Sequence, residues 1–289
     1  MKKPILQIFL LEGIIAIFIF SLGLFTAQQA QKIILKEKIE MPTLTIGEFI
    51  TLFFFGTGLI LFLVYFPKLK KVRGRIFKVV YFFSGAYGVL IVLSLLSSFL
   101  PNNFLFTNLL PLLFCALLVY RRAKHPTLLN HNLFIGLGLA GISAILGLSF
   151  QPEAFVILLA LLSIYDFIAV YKTKHMQKMA TSMLKSGTMM GLIIPHKFTN
   201  LSASLEKVQS GKEFVILGGG DIAFPLMFSS SLIAVYGITS SLVVAAFAVF
   251  GILLTFLLFL SQKKRKPLPA LPTISFFTIL GYLVVKFLI

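Results

Sequence analysis

Residues 213–236 read EFVILGGGDIAFPLMFSSSLIAVY, an apolar run of 24 residues with a single aspartate, Asp221, in its interior. A bilayer core of about 30 Å requires about 20 consecutive apolar residues in one helix. The run therefore predicts a membrane-spanning helix. Charged side chains at membrane depth are costly and usually mark function, so Asp221 is a candidate functional residue.

The composition of the whole chain indicates lipid, rather than water, as its solvent. Of the 289 residues, 58% are hydrophobic and 12% are charged, and the mean hydropathy is +0.99. A soluble domain carries about 25% charged residues. The single cysteine, Cys115, has no partner for a disulfide within the chain. No polar stretch is long enough to bury a core of its own, so we expect one transmembrane domain over residues 1–289.

Nine stretches of the sequence are apolar and long enough to cross a bilayer. They comprise residues 4–25, 48–66, 79–100, 103–120, 132–150, 153–171, 213–236, 240–260 and 271–289. The sequence therefore predicts an all-α polytopic membrane protein with nine transmembrane helices. Helices 1–6 cover about residues 4–171, a cytoplasmic loop covers about 172–212, and helices 7–9 cover about 213–289. We expect the first run to persist as a helix rather than to be removed as a signal peptide, because it is long enough to span.

Lysine and arginine are distributed unevenly over the predicted loops. The net charge is +17, and 22 of the 26 basic residues fall on one side of the predicted bundle, whereas three fall on the other. Cytoplasmic loops of membrane proteins carry an excess of Lys and Arg. The distribution predicts a cytoplasmic N-terminus and a C-terminus outside, which agrees with an odd number of helices. Because the basic residues lie in loops beside apolar spans, we attribute the charge to topology and expect no nucleic-acid binding.

The chain contains only two aspartates, Asp166 and Asp221, and both lie inside predicted helices. Predicted helix 6 leaves the membrane on the cytoplasmic side near Tyr171, so Asp166 lies about 9 Å from that exit at 1.5 Å per residue. Predicted helix 7 enters from the cytoplasm near Glu213, which places Asp221 about 12 Å deep. Two helices of opposite direction thus bring their aspartates to a similar depth, as a catalytic pair requires.

Two adjacent carboxyl groups support hydrolytic chemistry without a metal or a cofactor. Like charges about 3 Å apart cannot both ionise, so one carboxyl stays protonated while the other acts as a base. The base takes a proton from water, which attacks a peptide carbonyl that the acid polarises. The four histidines lie in or near predicted cytoplasmic loops and form no metal-binding pattern. A serine triad is not favoured, because no histidine shares the depth of Ser163.

Glycines precede Asp221 in predicted helix 7, and prolines lie at the start of predicted helix 9. Three glycines, 218–220, precede Asp221, and small residues in membrane helices allow close backbone approach, so we expect helix 6 to come near at this point. Helix 9 opens with Pro269-Ala270-Leu271-Pro272, where the two prolines lack amide donors and leave carbonyls free. Glu12, about two turns into helix 1, is the exception among glutamates that otherwise lie at helix edges or in loops. We expect Glu12 to be protonated or to reach the interface.

Three short motifs, in this order, resemble those of the presenilin and signal peptide peptidase family of intramembrane aspartyl proteases. That family has Tyr-Asp in helix 6, Gly-x-Gly-Asp in helix 7 and Pro-Ala-Leu at helix 9. This chain has Tyr165-Asp166, Gly218-Gly219-Gly220-Asp221 and Pro269-Ala270-Leu271, and its compact size resembles the archaeal presenilin-like branch. The resemblance implies a presenilin-like fold with Asp166 and Asp221 as catalytic residues. It also implies that the active site is shaped, and substrate contacted, by Tyr165, Gly218, Gly220, Pro269, Ala270 and Leu271.

The resemblance further implies an aspartic endopeptidase that cuts within transmembrane segments or remnant signal peptides, with no cofactor and no metal. Its expected partners are single-span membrane proteins, signal peptides and the lipid bilayer. We expect an unwound piece of substrate to be held as an added strand near residues 269–272. The predicted cytoplasmic N-terminus matches the orientation of presenilin. Because the loop 172–212 is short, no obligate partner subunit and no self-cleavage are implied.

Two other functions are left open by the sequence. A prepilin-type peptidase also uses Gly-x-Gly-Asp, but that family typically has a lysine two residues after the aspartate, where this chain has Ala223. A proton-coupled transporter or channel would use Asp166 and Asp221 as relay groups, although the chain shows no convincing internal repeat. The methionine- and lysine-rich start of the loop 172–212 fits either an interfacial amphipathic helix or a solvated segment.

The charge distribution predicts which loops face the cytoplasm, namely those that contain Lys70, Arg122, Lys185 and Lys264. Single cysteines introduced into these loops, in a chain whose Cys115 is replaced by serine, should resist a membrane-impermeant maleimide in intact cells. A cysteine at Lys36, which is predicted to lie outside, is the positive control. Labelling of any of the four cytoplasmic positions would overturn the orientation.

Overall fold

The computed structural model describes residues 3–39, 47–48, 51, 55, 70–101, 103–173, 183–184, 186–196, 198–205, 214–262 and 267–288. Predicted helix 2, residues 48–66, lies almost wholly outside the described residues. The start of the predicted loop around residues 174–182, with its possible interfacial helix, also lies outside them. The same holds for residues 263–266.

The described part of the chain contains seven long α-helices. They are α1 (Lys3–Glu37), α2 (Lys70–Ser97), α3 (Leu110–Lys124), α4 (Leu128–Leu148), α5 (Pro152–Ile168), α6 (Gly219–Ser261) and α7 (Leu271–Leu288). A π-helical turn, Leu105–Leu109, precedes α3, and another, Ala169–Thr173, follows α5. When the π-helical turns are counted with α3 and α5, the chain has seven helical runs that are long and apolar enough to cross a membrane within the described residues. The chain is therefore a multi-pass helical membrane protein, which confirms the predicted class.

Helix α6 is interrupted at Gly237. Its 43 residues would span about 65 Å at 1.5 Å per residue, about twice the thickness of a bilayer core. Gly237 has φ 79° and ψ 177°, a conformation open to glycine and rarely to other residues. Residues 219–236 and 238–261 are thus two helical arms. Both pack along α7: Phe228 of the first arm lies against Tyr282, and in the second arm Gly251 faces Ile274.

Helices α2 and α4 cross at very short range because glycines line their contact. A Cβ atom at Gly88 would overlap the carbonyl oxygen of Gly138, and one at Gly141 would overlap the carbonyl oxygen of Gly88. Small residues are the usual means by which membrane helices approach so closely. The crossing fixes the position of α4, on which part of the candidate site rests.

Helices α5 and α7 are neighbours that are joined at both ends. At one end, the Tyr282 hydroxyl donates a hydrogen bond to Glu153 Oε1 at 2.7 Å, and Lys286 Nζ lies 3.9 Å from the same oxygen. At the other end, the backbone N–H of Leu271 donates to Asp166 Oδ2 at 3.1 Å. The start of α7 is thereby held against the end of α5.

The structure contains a two-stranded antiparallel hairpin, which the all-α prediction did not include. Strands β1 (Gly191–Pro195) and β2 (Phe214–Gly218) are antiparallel, with Gly191 opposite Gly218. The prediction that helix 7 begins at residue 213 is wrong, because the chain is extended to Gly218 and the helix begins at Gly219. Aromatic and β-branched residues such as Phe214, Val215 and Ile216 favour a strand.

We expect Gly88→Ala to destabilise the protein, because its Cβ would overlap backbone in α4 rather than a movable side chain. Overpacking of a well-packed core costs about 1–3 kcal/mol. The midpoint of thermal unfolding in detergent should fall accordingly. Gly74→Ala is the matched control, since a Cβ at Gly74 meets nothing within 4 Å and alanine is the better helix former. Equal midpoints for the two variants would contradict the close crossing.

Candidate active site

Asp166 lies two residues before the end of α5 and is 2% exposed. Its Oδ2 accepts the hydrogen bond from the N–H of Leu271, and the backbone N–H of Ala270 also interacts with the carboxylate. Its Oδ1 is buried and has no hydrogen-bond partner among the described residues. The entrance of α7 therefore holds one carboxylate oxygen, and the other carries no structural hydrogen bond from the described protein.

Asp221 is the third residue of α6 and is 7% exposed. Its carboxylate turns back to the backbone N–H of Gly218, the N-cap residue of the helix. This is the return hydrogen bond of a capping box, and the helix N-terminus favours negative charge at the same position. The carboxylates of Asp166 and Asp221 are close enough to interact electrostatically. The structure thus brings together the two aspartates that the sequence paired.

The three glycines before Asp221 have local roles that differ from the predicted one. A Cβ on the first, Gly218, would lie 2.8 Å from Asp221 Oδ2. A Cβ on the second would overlap the carbonyl oxygen of Met190, which accepts a hydrogen bond from the N–H of that glycine at 2.9 Å. A Cβ on the third would lie 3.1 Å from the Phe224 ring. The expectation that these glycines allow the helix of Asp166 to approach closely is wrong. The atoms nearest to them belong to the Asp221 carboxylate, to Met190 before β1 and to Phe224.

The entrance of α7 contacts Asp166 through amides rather than carbonyls. Residues 267–270 are not helical, and the first-turn amides of a helix have no acceptor within it. These amides are the groups that meet Asp166, with Pro269 buried beside them. The expectation of free carbonyls at this entrance does not hold at Ala270, whose carbonyl accepts a hydrogen bond from the N–H of Ile274 at 3.2 Å. The helix has already begun its hydrogen bonding there.

Tyr165 and Glu12 occupy contrasting environments. The Tyr165 side chain is 52% exposed, so the structure does not bury it with its neighbour Asp166. Glu12 is 1% exposed, its Oε2 has no hydrogen-bond partner among the described residues, and Asp221 is the charged group with which it interacts. Of the two expectations for Glu12, an interface-reaching side chain is wrong, because the carboxyl is turned into the protein.

The polar side chains that hold the hairpin beside the site were not predicted from the sequence. The side chain of Asn132 forms two hydrogen bonds with the backbone of Ile193, and His131 Nε2 lies 2.8 Å from the carbonyl oxygen of Gly191. A signal for the strands themselves was present. Residues 191–195 and 214–218 are short apolar runs bounded by glycine, proline or charged residues, which is the pattern of a strand.

The chemistry available at the site is that of two buried carboxyl groups. Two neighbouring carboxyl groups do not readily ionise together, so we expect one of the pair to hold a proton. One is then a base for water and the other an acid for a carbonyl oxygen. Among the described residues, no group of three or more His, Cys, Asp or Glu side chains is arranged to hold a metal ion.

Comparison with known proteins agrees with this geometry. A search of curated proteins finds no significant match. Two solved structures of "a presenilin family intramembrane aspartate protease", in space groups C222 and P2, are similar to this chain. The first is 18% identical with a TM-score of 0.63 and covers 99% of this chain and 100% of its own. The second is 19% identical with a TM-score of 0.62 and covers 96% and 97%.

These structural similarities show a presenilin-like fold. The family model described as "Signal-peptide peptidase, presenilin aspartyl protease" matches residues 6–289, nearly the whole chain. The chain belongs to the signal-peptide peptidase and presenilin family and is an intramembrane aspartyl protease.

Proposed function

We propose that Asp166 and Asp221 are the catalytic residues of this intramembrane aspartyl protease. The observation that carries the proposal is the burial of the only two aspartates in the chain, which interact electrostatically, one near the end of α5 and the other in the first turn of α6. The ionised carboxyl removes a proton from water, and the water oxygen bonds to the carbonyl carbon of the scissile peptide. The protonated carboxyl gives its proton to the carbonyl oxygen. The C–N bond then breaks as the nitrogen takes the proton that the first carboxyl removed from water, and a hydroxyl proton of the intermediate returns to the second carboxylate. The products are an amine and a carboxylic acid, and the pair is restored.

The anchoring of the two carboxylates fits this mechanism. Asp166 is fixed through Oδ2, so its Oδ1 can face water or the scissile carbonyl without loss of position. Asp221 is fixed by the Gly218 amide. A carboxylate held by backbone amides does not need to reorganise when charge develops in the transition state.

The proposed substrates are single-span membrane proteins and remnant signal peptides. A helical substrate hides its carbonyls in hydrogen bonds, so it must unwind locally before water can attack. In the described part of the chain the sheet has two strands, and the edge of β2 away from β1 leads directly to the turn that carries Asp221. We infer that this edge accepts the unwound segment as an added strand. It is a better support than residues 269–272, whose two N–H groups, on Ala270 and Leu271, interact with Asp166.

We also propose nine transmembrane helices with a cytoplasmic N-terminus. The seven spanning runs, with α6 divided at Gly237, account for eight crossings in the described residues. Predicted helix 2, residues 48–66, would be the ninth. The excess of Lys and Arg on one side supports the orientation. The single transmembrane domain over residues 1–289 then opens its active site toward the cytoplasmic half, with Tyr165, Gly218 and Gly220 lining the approach.

We expect Asp166→Asn and Asp221→Asn each to abolish cleavage of a single-span substrate in detergent, because asparagine keeps the shape of the side chain but cannot exchange the proton. The double variant should be no worse than either single one, since groups that act as a unit are non-additive. The dependence of cleavage on pH should be bell-shaped, with both limbs belonging to the pair.

Glu153→Gln is the control for the loss of a carboxylate, because Glu153 lies at the opposite end of α5. It should cleave at close to the wild-type rate. If either asparagine variant cleaves the substrate substantially in an assay without an ion gradient, Asp166 and Asp221 are not the catalytic pair. Ion-gradient-driven transport that depends on the same two residues would favour a transporter instead.

The entrance of α7 gives a second prediction about catalysis. Leu271→Pro removes the N–H that holds Asp166 Oδ2, at a first helical position where proline is otherwise tolerated. We expect it to lower the cleavage rate by at least about tenfold, since small misplacements of reacting groups cost up to about 10²-fold. Leu271→Ala and Pro269→Ala keep that N–H and should lower the rate less, while all three variants insert and remain folded. Equal rates for Leu271→Pro and Leu271→Ala would show that the amide does not position Asp166.

A further inference from the structure

The strand β1 is held on both of its edges. On one edge it pairs with β2, and on the other it meets the side chain of Asn132 from α4. Asn132 Nδ2 donates to the carbonyl oxygen of Ile193 at 2.8 Å, and the N–H of Ile193 donates to Asn132 Oδ1 at 2.9 Å. In an antiparallel pair, successive residues alternate between bonding to the partner strand and facing away from it. A carboxamide carries an N–H donor group and a carbonyl acceptor side by side, as a peptide unit does, so Asn132 takes the place of a neighbouring strand at Ile193.

The preceding residue of α4 holds β1 at a second point. A carbonyl oxygen can only accept, so the contact at 2.8 Å between His131 Nε2 and the oxygen of Gly191 requires a proton on Nε2. In the neutral ring Nδ1 is then an acceptor, and the Tyr81 hydroxyl donates to it at 3.2 Å. The Tyr81 oxygen accepts in turn from Arg122 Nε at 3.0 Å. The order of donors along this buried chain fixes the ring of His131 and supports β1 at Gly191.

The hairpin transmits the position of β1 to Asp221. Gly191 lies opposite Gly218 in the sheet, and the carbonyl oxygen of Met190 accepts a hydrogen bond from the N–H of Gly219 at 2.9 Å. Gly218 is the N-cap of α6 and donates its own N–H to the Asp221 carboxylate. A displacement of β1 would therefore move the first turn of α6 and the carboxylate with it.

We propose that Asn132 is a positioning residue for Asp221, which acts by clamping β1 against α4 and so fixing the first turn of α6. The inference rests on the proposed catalytic role of Asp221. The side-chain hydrogen bonds of Asn132 go to Ile193 and not to Asp221, so its effect passes through Ile193, the hairpin and Gly218. Its loss lowers the rate of the chemical step more than it weakens substrate binding.

The chain supplies a matched control two residues earlier. Asn130 is the third residue of α4 and Asn132 the fifth, and Asn130 Nδ2 donates to the carbonyl oxygen of His125 at 2.9 Å, a contact that does not involve the hairpin. Asn130→Ala therefore removes one side-chain amide from the same helix end without touching β1. Both variants are compared in the full-length protein in detergent micelles.

The experiment measures kcat and KM for a single-span substrate, the thermal midpoint, and hydrogen exchange of the hairpin amides. We expect Asn132→Ala to lower kcat by at least about tenfold with KM changed less than about threefold, in line with the cost of misplacing a catalytic group. Exchange at residues 191–195 and 214–218 should accelerate. We expect Asn130→Ala to keep kcat within about threefold of the wild type and to leave hairpin exchange unchanged.

A second variant covers the case in which Asn132→Ala does not insert. Asn132→Asp keeps the acceptor for the Ile193 N–H but loses the donor, so its kcat should lie between those of Asn132→Ala and the wild type. The proposal is overturned if kcat of Asn132→Ala, or of Asn132→Asp when the alanine variant does not insert, matches that of Asn130→Ala. It is also overturned if kcat falls while hairpin exchange stays at the wild-type rate. Cleavage by Asp221→Asn would instead contradict the catalytic role of Asp221. The experiment therefore distinguishes a failure of that role from a failure of the positioning role of Asn132.

Discussion

A carboxylate inside a lipid-embedded protein must be held by hydrogen-bond donors, and backbone amides at helix ends supply them here. The first amides of a helix have no acceptor within the helix, and the helix dipole favours negative charge beside them. Asp166 uses the amides that open α7, and Asp221 uses the amide at the N-cap of its own helix. Two helix N-termini therefore lie among buried residues of the protein, and the rest of the architecture accommodates that requirement.

Burying helix ends leaves non-helical backbone at depth, which lipid does not tolerate. The hairpin resolves this for the segment before α6, because β1 pairs with β2 residue by residue. The backbone groups on the outer edge of β1 face away from β2 and need other partners. The side chain of Asn132 bonds to Ile193, and that of His131 bonds to Gly191. The buried backbone of β2 is thus paired with β1, and β1 is paired with side chains of α4. Helix α4 is in turn held by its glycine crossing with α2.

The sequence was sufficient to predict the features that depend on long apolar runs and on rare residues. Spanning helices are recognisable from hydropathy, and two aspartates in such runs are conspicuous. The strand Phe214–Gly218 was not predicted because it continues directly into the apolar run of α6, and hydropathy alone does not distinguish a short strand from the start of a helix. The role of Asn132 was not predictable either, because its partner Ile193 lies 61 residues away. Nothing local to Asn132 identifies a hydrogen bond at that separation.

The contact between Asp166 and Leu271 also bears on biosynthesis, because the two residues are 105 positions apart and α7 follows both aspartates in the chain. A nascent chain that has inserted α5 and α6 already carries both carboxyl groups. It lacks the amides that orient Asp166 until α7 has entered the membrane. On the proposed catalytic role of the pair, the Asp166 carboxylate therefore reaches its final position only after α7 has been translated and has packed against α5.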